Sequence, residues 1–147
     1  MGNYETLNEL LVTLFRDVMD IEQKVIITPE FKDITNNDMH VIEAIGIGEP
    51  KNMSSIAKEL SVTVGTLTIA MNSLVKKGYV KRERGEEDRR VVYISLSDKG
   101  KKAFIHHARF HKEMITSIMD EFDDDEKRIL IRGLTKLDNW FRDKEEE

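Results

Sequence analysis

MSSIAKELSVTVGTLTIAMNSLVKKGYVKRERGEEDRRVVYISLS, residues 53–97, is the stretch around which the rest of the chain is organised. Ile56, Ala57 and Leu60 fall on one face of a short helix, and Ser61-Val62-Thr63 breaks that pattern. Thr63 suits an N-cap, because its hydroxyl can accept from a backbone N–H of the next turn. A second helix then runs to Lys77, with Leu67, Ala70 or Met71, Leu74 and Val75 at core spacing and Gly78 as its stop. Two helices across so short a turn make the helix-turn-helix pattern. Tyr79 to Glu83 and Val91 to Leu96 alternate or run β-branched and aromatic, which predicts a hairpin. Its tip, residues 84–90, is too polar to bury and carries Arg84, Arg89 and Arg90. The expectation is a wing beside a helix-turn-helix, with the second helix in a major groove and a wing arginine in a minor groove.

Charge is distributed to match. The 147 residues carry 23 Lys and Arg against 28 Asp and Glu, an acidic total that by itself argues against a nucleic-acid partner. Between Lys51 and Phe104, however, there are 12 basic and 6 acidic residues, leaving 11 against 22 elsewhere. A basic module sits in an acidic body, and phosphate binding depends on the local field at the contacting face. The length fits one domain, 1–147, with residues 36–97 as its DNA-binding part. With no cysteine, disulfide and thiolate chemistry are excluded. No signal-like start or membrane-length apolar run is present, so a soluble, cytoplasmic protein with no membrane partner is expected.

Residues 4–27 carry Leu7, Leu10, Leu11, Leu14, Phe15, Val18, Ile21, Val25 and Ile26 at helical spacing, with Pro29 just beyond as a stop. Thr35 and Asp38 resemble a capping box for a second helix through Met39, Ile42 and Ala44 to Gly46. Gly48, Pro50 and Asn52 make the loop into the helix-turn-helix. After the wing, Ser97 caps a long helix through Phe104, Ile115 and Phe122, and the acids at 123–126 favour the start of a last helix through Leu130 to Phe141. The terminal run 144–147 is expected to fray. The fold class is therefore mainly α with a small β-wing, six helices plus a β-hairpin. Residues 1–30 and 98–147 have apolar stripes wide enough to bury against more than one neighbour, and they are assigned to dimerisation. One helix-turn-helix reads a half-site, so a homodimer on a palindromic operator in double-stranded DNA is the economical arrangement.

Leu60 to Gly78 with Tyr79-Val80-Lys81-Arg82, then Asp88-Arg89-Arg90, then Ile94-Ser95-Leu96-Ser97-Asp98-Lys99-Gly100 together resemble the MarR family of dimeric winged helix-turn-helix regulators. Within it, Phe31-Lys32-Asp33-Ile34, Met39-His40, Val62-Thr63-Val64-Gly65-Thr66 and Arg109-Phe110-His111-Lys112 resemble the FabT-type repressors of fatty-acid synthesis genes in Gram-positive bacteria. That resemblance implies a corepressor, a long-chain acyl group on acyl carrier protein, that raises DNA affinity.

The residues themselves assign the DNA face to Thr63, Gly65, Thr66, Thr68 and Asn72, short or polar side chains opposite the core positions of the second helix. For Thr63 capping competes with contact. Either Arg89 or Arg90 enters the minor groove, held by Asp88. Lys51, Ser54, Ser55, Lys76 and Lys77 are candidate phosphate contacts, with Arg84 beside them in the wing. For an effector crevice the flexible apolar side chains are Phe15, Met19, Phe31, Met39, Phe104, Phe110 and Met114, all of which also suit an ordinary core. An acidic carrier protein would need a basic landing patch, for which Arg109 and Lys112, with Arg16 and Arg132, are candidates.

His107 and His111 stand i, i+4 on one helix, a metal-ligand spacing that His40 could join. The absence of cysteine and of a matching acid counts against a metal site, so sensing of a metal, zinc, stands only as the alternative, beside a small aromatic or lipophilic ligand. Phosphate loops, nucleophile elbows and paired carboxylates are lacking, so no enzyme is expected. A pure protein-interaction module leaves the wing arginines unexplained.

Overall fold

A computed structural model describes residues 2–145. Its elements are α1 (Asn3–Ile26), α2 (Asn36–Ile45), β1 (Lys51–Asn52), α3 (Met53–Glu59), α4 (Val64–Lys77), β2 (Val80–Arg84), β3 (Val92–Leu96), α5 (Asp98–Asp120) and α6 (Asp124–Glu145). Six helices with a small antiparallel sheet give the expected winged helix-turn-helix. Glu146 and Glu147, the end of the run expected to fray, lie outside the described residues. The chain forms two compact units, one ending at Ala108 and the other beginning at Arg109. Beyond His107 no described residue of α5 or α6 is buried.

Local chemistry sets the helix ends. Thr35 and Asp38 form the reciprocal box, Asp38 N donating to Thr35 Oγ1 at 3.0 Å and Thr35 N to Asp38 Oδ2 at 3.1 Å. Asn52, expected in a loop, caps α3 by accepting from Ser55 N at 2.8 Å. Thr63 caps α4, and Gly78 closes it in the left-handed region at φ 89°. Asp123 and Glu126 make a second reciprocal box that starts α6.

The wing is the expected hairpin, β2 paired antiparallel with β3, with one strand added. The sheet has three strands in the order β1-β3-β2, because Lys51 and Asn52 pair with Ile94 and Tyr93 along the other edge of β3. Two residues carry too little β signal to be read as a strand, yet they satisfy backbone groups that β3 would otherwise leave open.

One core lies beneath this sheet. Leu67, Met71 and Leu74 of α4 join Ile42 and Ile45 of α2, Ile56 of α3, and Tyr79, Ile94 and Leu96 around the wing root. The start of α5 is pressed against that root so closely that a Cβ on Gly100 would sit 2.1 Å from the Tyr79 carbonyl oxygen. Glycine is therefore required there.

Tyr79 also anchors a polar network. Its hydroxyl donates to Asp33 Oδ1 at 2.8 Å, and the Lys99 ammonium lies 4.5 Å from its ring centroid. Lys77 Nζ donates to Asp38 Oδ2 and to the Asp33 carbonyl, both at 2.8 Å, which ties the end of α4 to the segment before α2. The Tyr79 hydrogen bond holds the Asp33 carboxyl below its usual range. Burial, with Asp33 alongside, pushes the phenol up. A depressed carboxyl stabilises above its unfolded value and loses that contribution as pH falls through its folded one. A raised phenol stabilises below its unfolded value and loses it as pH rises. Tyr79→Phe is expected to destabilise by about 1 kcal/mol at neutral pH. It should also flatten the fall in stability below about pH 4 and above about pH 10. Urea melts at five pH values check this, and unchanged limbs would exclude the pair from the pH response.

The remaining apolar stripes are uncovered. On α1, Leu7, Leu10 and Leu14 are 59%, 58% and 59% exposed, and α6 buries none of its described side chains. No helix among the described residues is long and apolar enough to cross a membrane.

Candidate nucleic-acid interface

Thr63 at the cap of α4, and Gly65, Thr66, Thr68 and Asn72 on the helix, all lie exposed as expected. Thr63 Oγ1 accepts from Thr66 N at 3.1 Å and donates to Thr66 Oγ1 at 2.9 Å, so it serves as the cap. Thr66 thereby keeps its own proton to donate outward. Thr68 spends its proton on the Val64 carbonyl at 2.8 Å and is left with acceptor capacity. Asn72 Oδ1 accepts from Arg82 Nη1 of β2, which leaves the Asn72 amide as a donor. Arg82 is a member of this face that the sequence did not single out.

Gly65 has no structural need to be glycine. A Cβ there meets only Thr63 Oγ1, at 3.9 Å. Glycine within a helix is less stable than alanine by up to about 1 kcal/mol, so close approach by another molecule is the remaining reason for it. Gly65→Ala should raise the melting temperature while weakening DNA binding. A variant that binds equally well would place DNA away from this turn.

In the wing, Asp88 holds Arg90 rather than Arg89. Asp88 Oδ1 accepts from Arg90 N at 3.0 Å and Nε at 3.1 Å, and Oδ2 accepts from Nη2 at 3.0 Å. These bonds draw the Asp88 carboxyl below its usual range and raise the guanidinium. The Arg90 side chain is still 90% exposed, so it is aimed without being covered. Arg84 Nη1 donates to the Arg89 carbonyl at 2.9 Å and shapes the tip. A groove of about 460 Å³ separates α4 from the wing, lined by Met53, Thr68, Arg82, Glu83, Arg84 and Val92. A hollow of about 490 Å³ at the wing tip is lined by Glu49, Glu83, Glu86, Glu87 and Asp88 among others, and its acids disfavour phosphate.

Two expected phosphate contacts have partners within the fold. Lys51 Nζ donates to the Ala44 carbonyl at 2.7 Å and lies 3.6 Å from Glu59, and Lys77 is committed to Asp38 and Asp33. Both amines hold the fold together. Ser54, Ser55 and Lys76 remain exposed.

The residues expected to line an effector crevice are scattered in kind. Phe31 and Met39 are 4% and 2% exposed core residues, and Phe104 packs partly buried against that core. They fill the interior instead of lining an open crevice. Phe15 and Met19 are exposed on α1, whereas Phe110 and Met114 are half-buried and Arg109 and Lys112 exposed in the second half of α5.

His107 is buried, and its Nδ1 pairs with Glu43 Oε1. The acid that the sequence reading lacked is Glu22 of α1, also buried. One of its carboxylate oxygens and one His107 ring nitrogen lie within 4.8 Å of each other. His111 follows one turn along α5, and exposed His40 instead lines a small hollow with Asn37 and Thr66.

The model of the transcriptional regulator SarA/Rot family matches residues 24–106, more than half of the chain. The regulator SarZ of Staphylococcus haemolyticus is 31% identical over 86% of this chain and 85% of its own. Streptococcus pneumoniae FabT, crystallised in complex with DNA, is 40% identical over 96% of this chain and 99% of that one, with a TM-score of 0.90. The Staphylococcus aureus MepR–DNA complex, 20% identical over 95% of this chain and 99% of that one, shares the fold at a TM-score of 0.74. The chain belongs to the SarA/Rot family of DNA-binding transcriptional regulators, winged-helix proteins of the MarR type and not enzymes.

Proposed function

We propose that this regulator is a homodimeric repressor of fatty-acid biosynthesis genes that reads a palindrome with α4 and the wing, and that long-chain acyl-acyl carrier protein raises its DNA affinity. The observation that carries the dimer is the pair of uncovered apolar faces on α1 and α6. Two reading heads held by such faces would address successive major grooves about one helical turn apart. The gene class is supported by the likeness to FabT over nearly the whole chain. Arg90, pre-aligned by Asp88, is the residue assigned to the minor groove, since fixing the side chain beforehand lowers the entropy lost on binding.

Fluorescence anisotropy against an inverted repeat from fatty-acid synthesis promoters, at fixed salt, with and without long-chain acyl-acyl carrier protein, tests this. Tightening by the acylated carrier alone is the expected result. Specific binding indifferent to the carrier discards the corepressor and keeps the repressor. Alanine at Arg109 and Lys112 should weaken carrier binding, and an unchanged affinity would remove them as its landing patch.

A second reading, response to a metal ion, is favoured by Glu22 beside His107. Glu43 accepting from Nδ1 fixes the tautomer in which Nε2 would be the ligand atom. Metal content of untagged protein, and operator affinity with zinc or a chelator, separate this reading from the first.

A further inference from the structure

We infer that Ile69, at the centre of the exposed face of α4, recognises the C5-methyl group of a thymine in the major groove. This rests on α4 being the DNA-reading helix. Gly65, Ile69, Asn72 and Lys76 recur at i, i+4, i+7 and i+11 and are all exposed, while Leu67, Met71 and Leu74 on the opposite side are buried. Ile69 is thus an apolar side chain in the middle of an otherwise polar or bare strip.

Its exposure is 75%, against 39% for Val62, 45% for Val64 and 42% for Tyr93, the other exposed large apolar residues between Met53 and Ser97. Single exposed hydrophobes are common on protein surfaces, but this one is three-quarters uncovered and has no helix propensity to justify it. A β-branched residue is a weaker helix former than most polar alternatives at a solvated position. The apolar stripes of α1 and α6 are a different matter, because they are continuous.

The major-groove edges of the bases present hydrogen-bonding groups and a single apolar feature, the thymine methyl. A branched aliphatic side chain cannot choose among donors and acceptors, yet it can bury that methyl. Gly65, one turn earlier, removes the side chain that would hold the helix away from the base edges. Thr66 as donor and Thr68 as acceptor flank the same turn and would read the neighbouring polar edges.

The test begins with an operator selected from randomised duplexes by the full-length protein, in which each thymine is then replaced by deoxyuridine. Deoxyuridine keeps every hydrogen-bonding group and lacks only the methyl. The wild type should lose roughly fourfold in affinity for the critical thymine of one half-site, and roughly fifteenfold when both half-sites are changed. Ile69→Ala should bind the thymine and deoxyuridine operators equally, at about the affinity of wild type for the latter. Ile69→Val, which keeps the branch, should restore part of the discrimination.

If Ile69→Ala retains the full deoxyuridine penalty, another residue reads the methyl and the inference is overturned. A selected operator without a methyl-sensitive thymine overturns it equally. Thr66→Val and Asn72→Ala on the same duplexes locate the fault. If they alter base preference while Ile69→Ala does not, only the role of Ile69 falls. If neither alters it, α4 is not the reading helix.

Discussion

Arg90→Ala is expected to weaken operator binding by about two orders of magnitude, more than any other single change in the wing. The basis is the fork from Asp88, which engages Nε and Nη2 and leaves donors on an exposed guanidinium. A charge-assisted hydrogen bond is worth about 1.5–3 kcal/mol, and a dimer loses it twice. The salt slope should also fall by about one per wing, since each lost cation ceases to release a counterion. Asp88→Ala separates aim from charge. It leaves the guanidinium in place but unheld, so affinity should fall roughly tenfold with the salt slope undiminished. Arg89 has no side-chain partner among the described residues, and Arg89→Ala should have the smaller effect. Salt titrations of the three variants decide this, and a wild-type affinity for Arg90→Ala would take the wing out of the mechanism.

The largest effect of all is expected from Leu10→Glu combined with Leu14→Glu. Both leucines lie on the uncovered face of α1, so the substitutions disturb no core of the chain itself. In a dimer they would bury unpaired carboxylates, which are destabilising by several kcal/mol each. Sedimentation should show monomers at concentrations where the wild type is paired. Affinity for the full palindrome should collapse by three or more orders of magnitude towards that of a half-site, because the second head no longer binds intramolecularly. Circular dichroism should show the winged part still folded. A double variant that still sediments as a dimer would move the subunit contact off this face.

The reading head was legible in sequence because its signals are local. Thr63, Gly78, the Thr35–Asp38 box and the spacing of Leu67 and Leu74 each act within a few residues, and each sits where the pattern puts it. What escaped depends on contacts across the fold. Lys51 and Lys77 look like solvated cations until Ala44, Asp33 and Asp38 arrive from elsewhere in the chain. β1 becomes a strand only because β3 offers an edge. Glu22 lies 85 residues from His107, beyond any motif spacing. Ile69 falls outside the DNA face for the opposite reason: polarity defines that face in the sequence, and an apolar residue does not meet it.

The third strand also constrains the DNA. Since β1 leads directly into α3 and pairs with β3, while β2 follows α4 after only Gly78 and Tyr79, the hairpin is joined to the helix-turn-helix by backbone hydrogen bonds along its β3 edge and by the chain itself at β2. The span from the tip of the wing to the face of α4 is then a fixed gauge. A half-site with one base pair added between its major-groove and minor-groove positions would rotate the second out of reach, and no hinge within the head could follow it. With α4 and the wing reading the two grooves as proposed, operators for this protein are expected to tolerate sequence change between those two contacts but not a change in length.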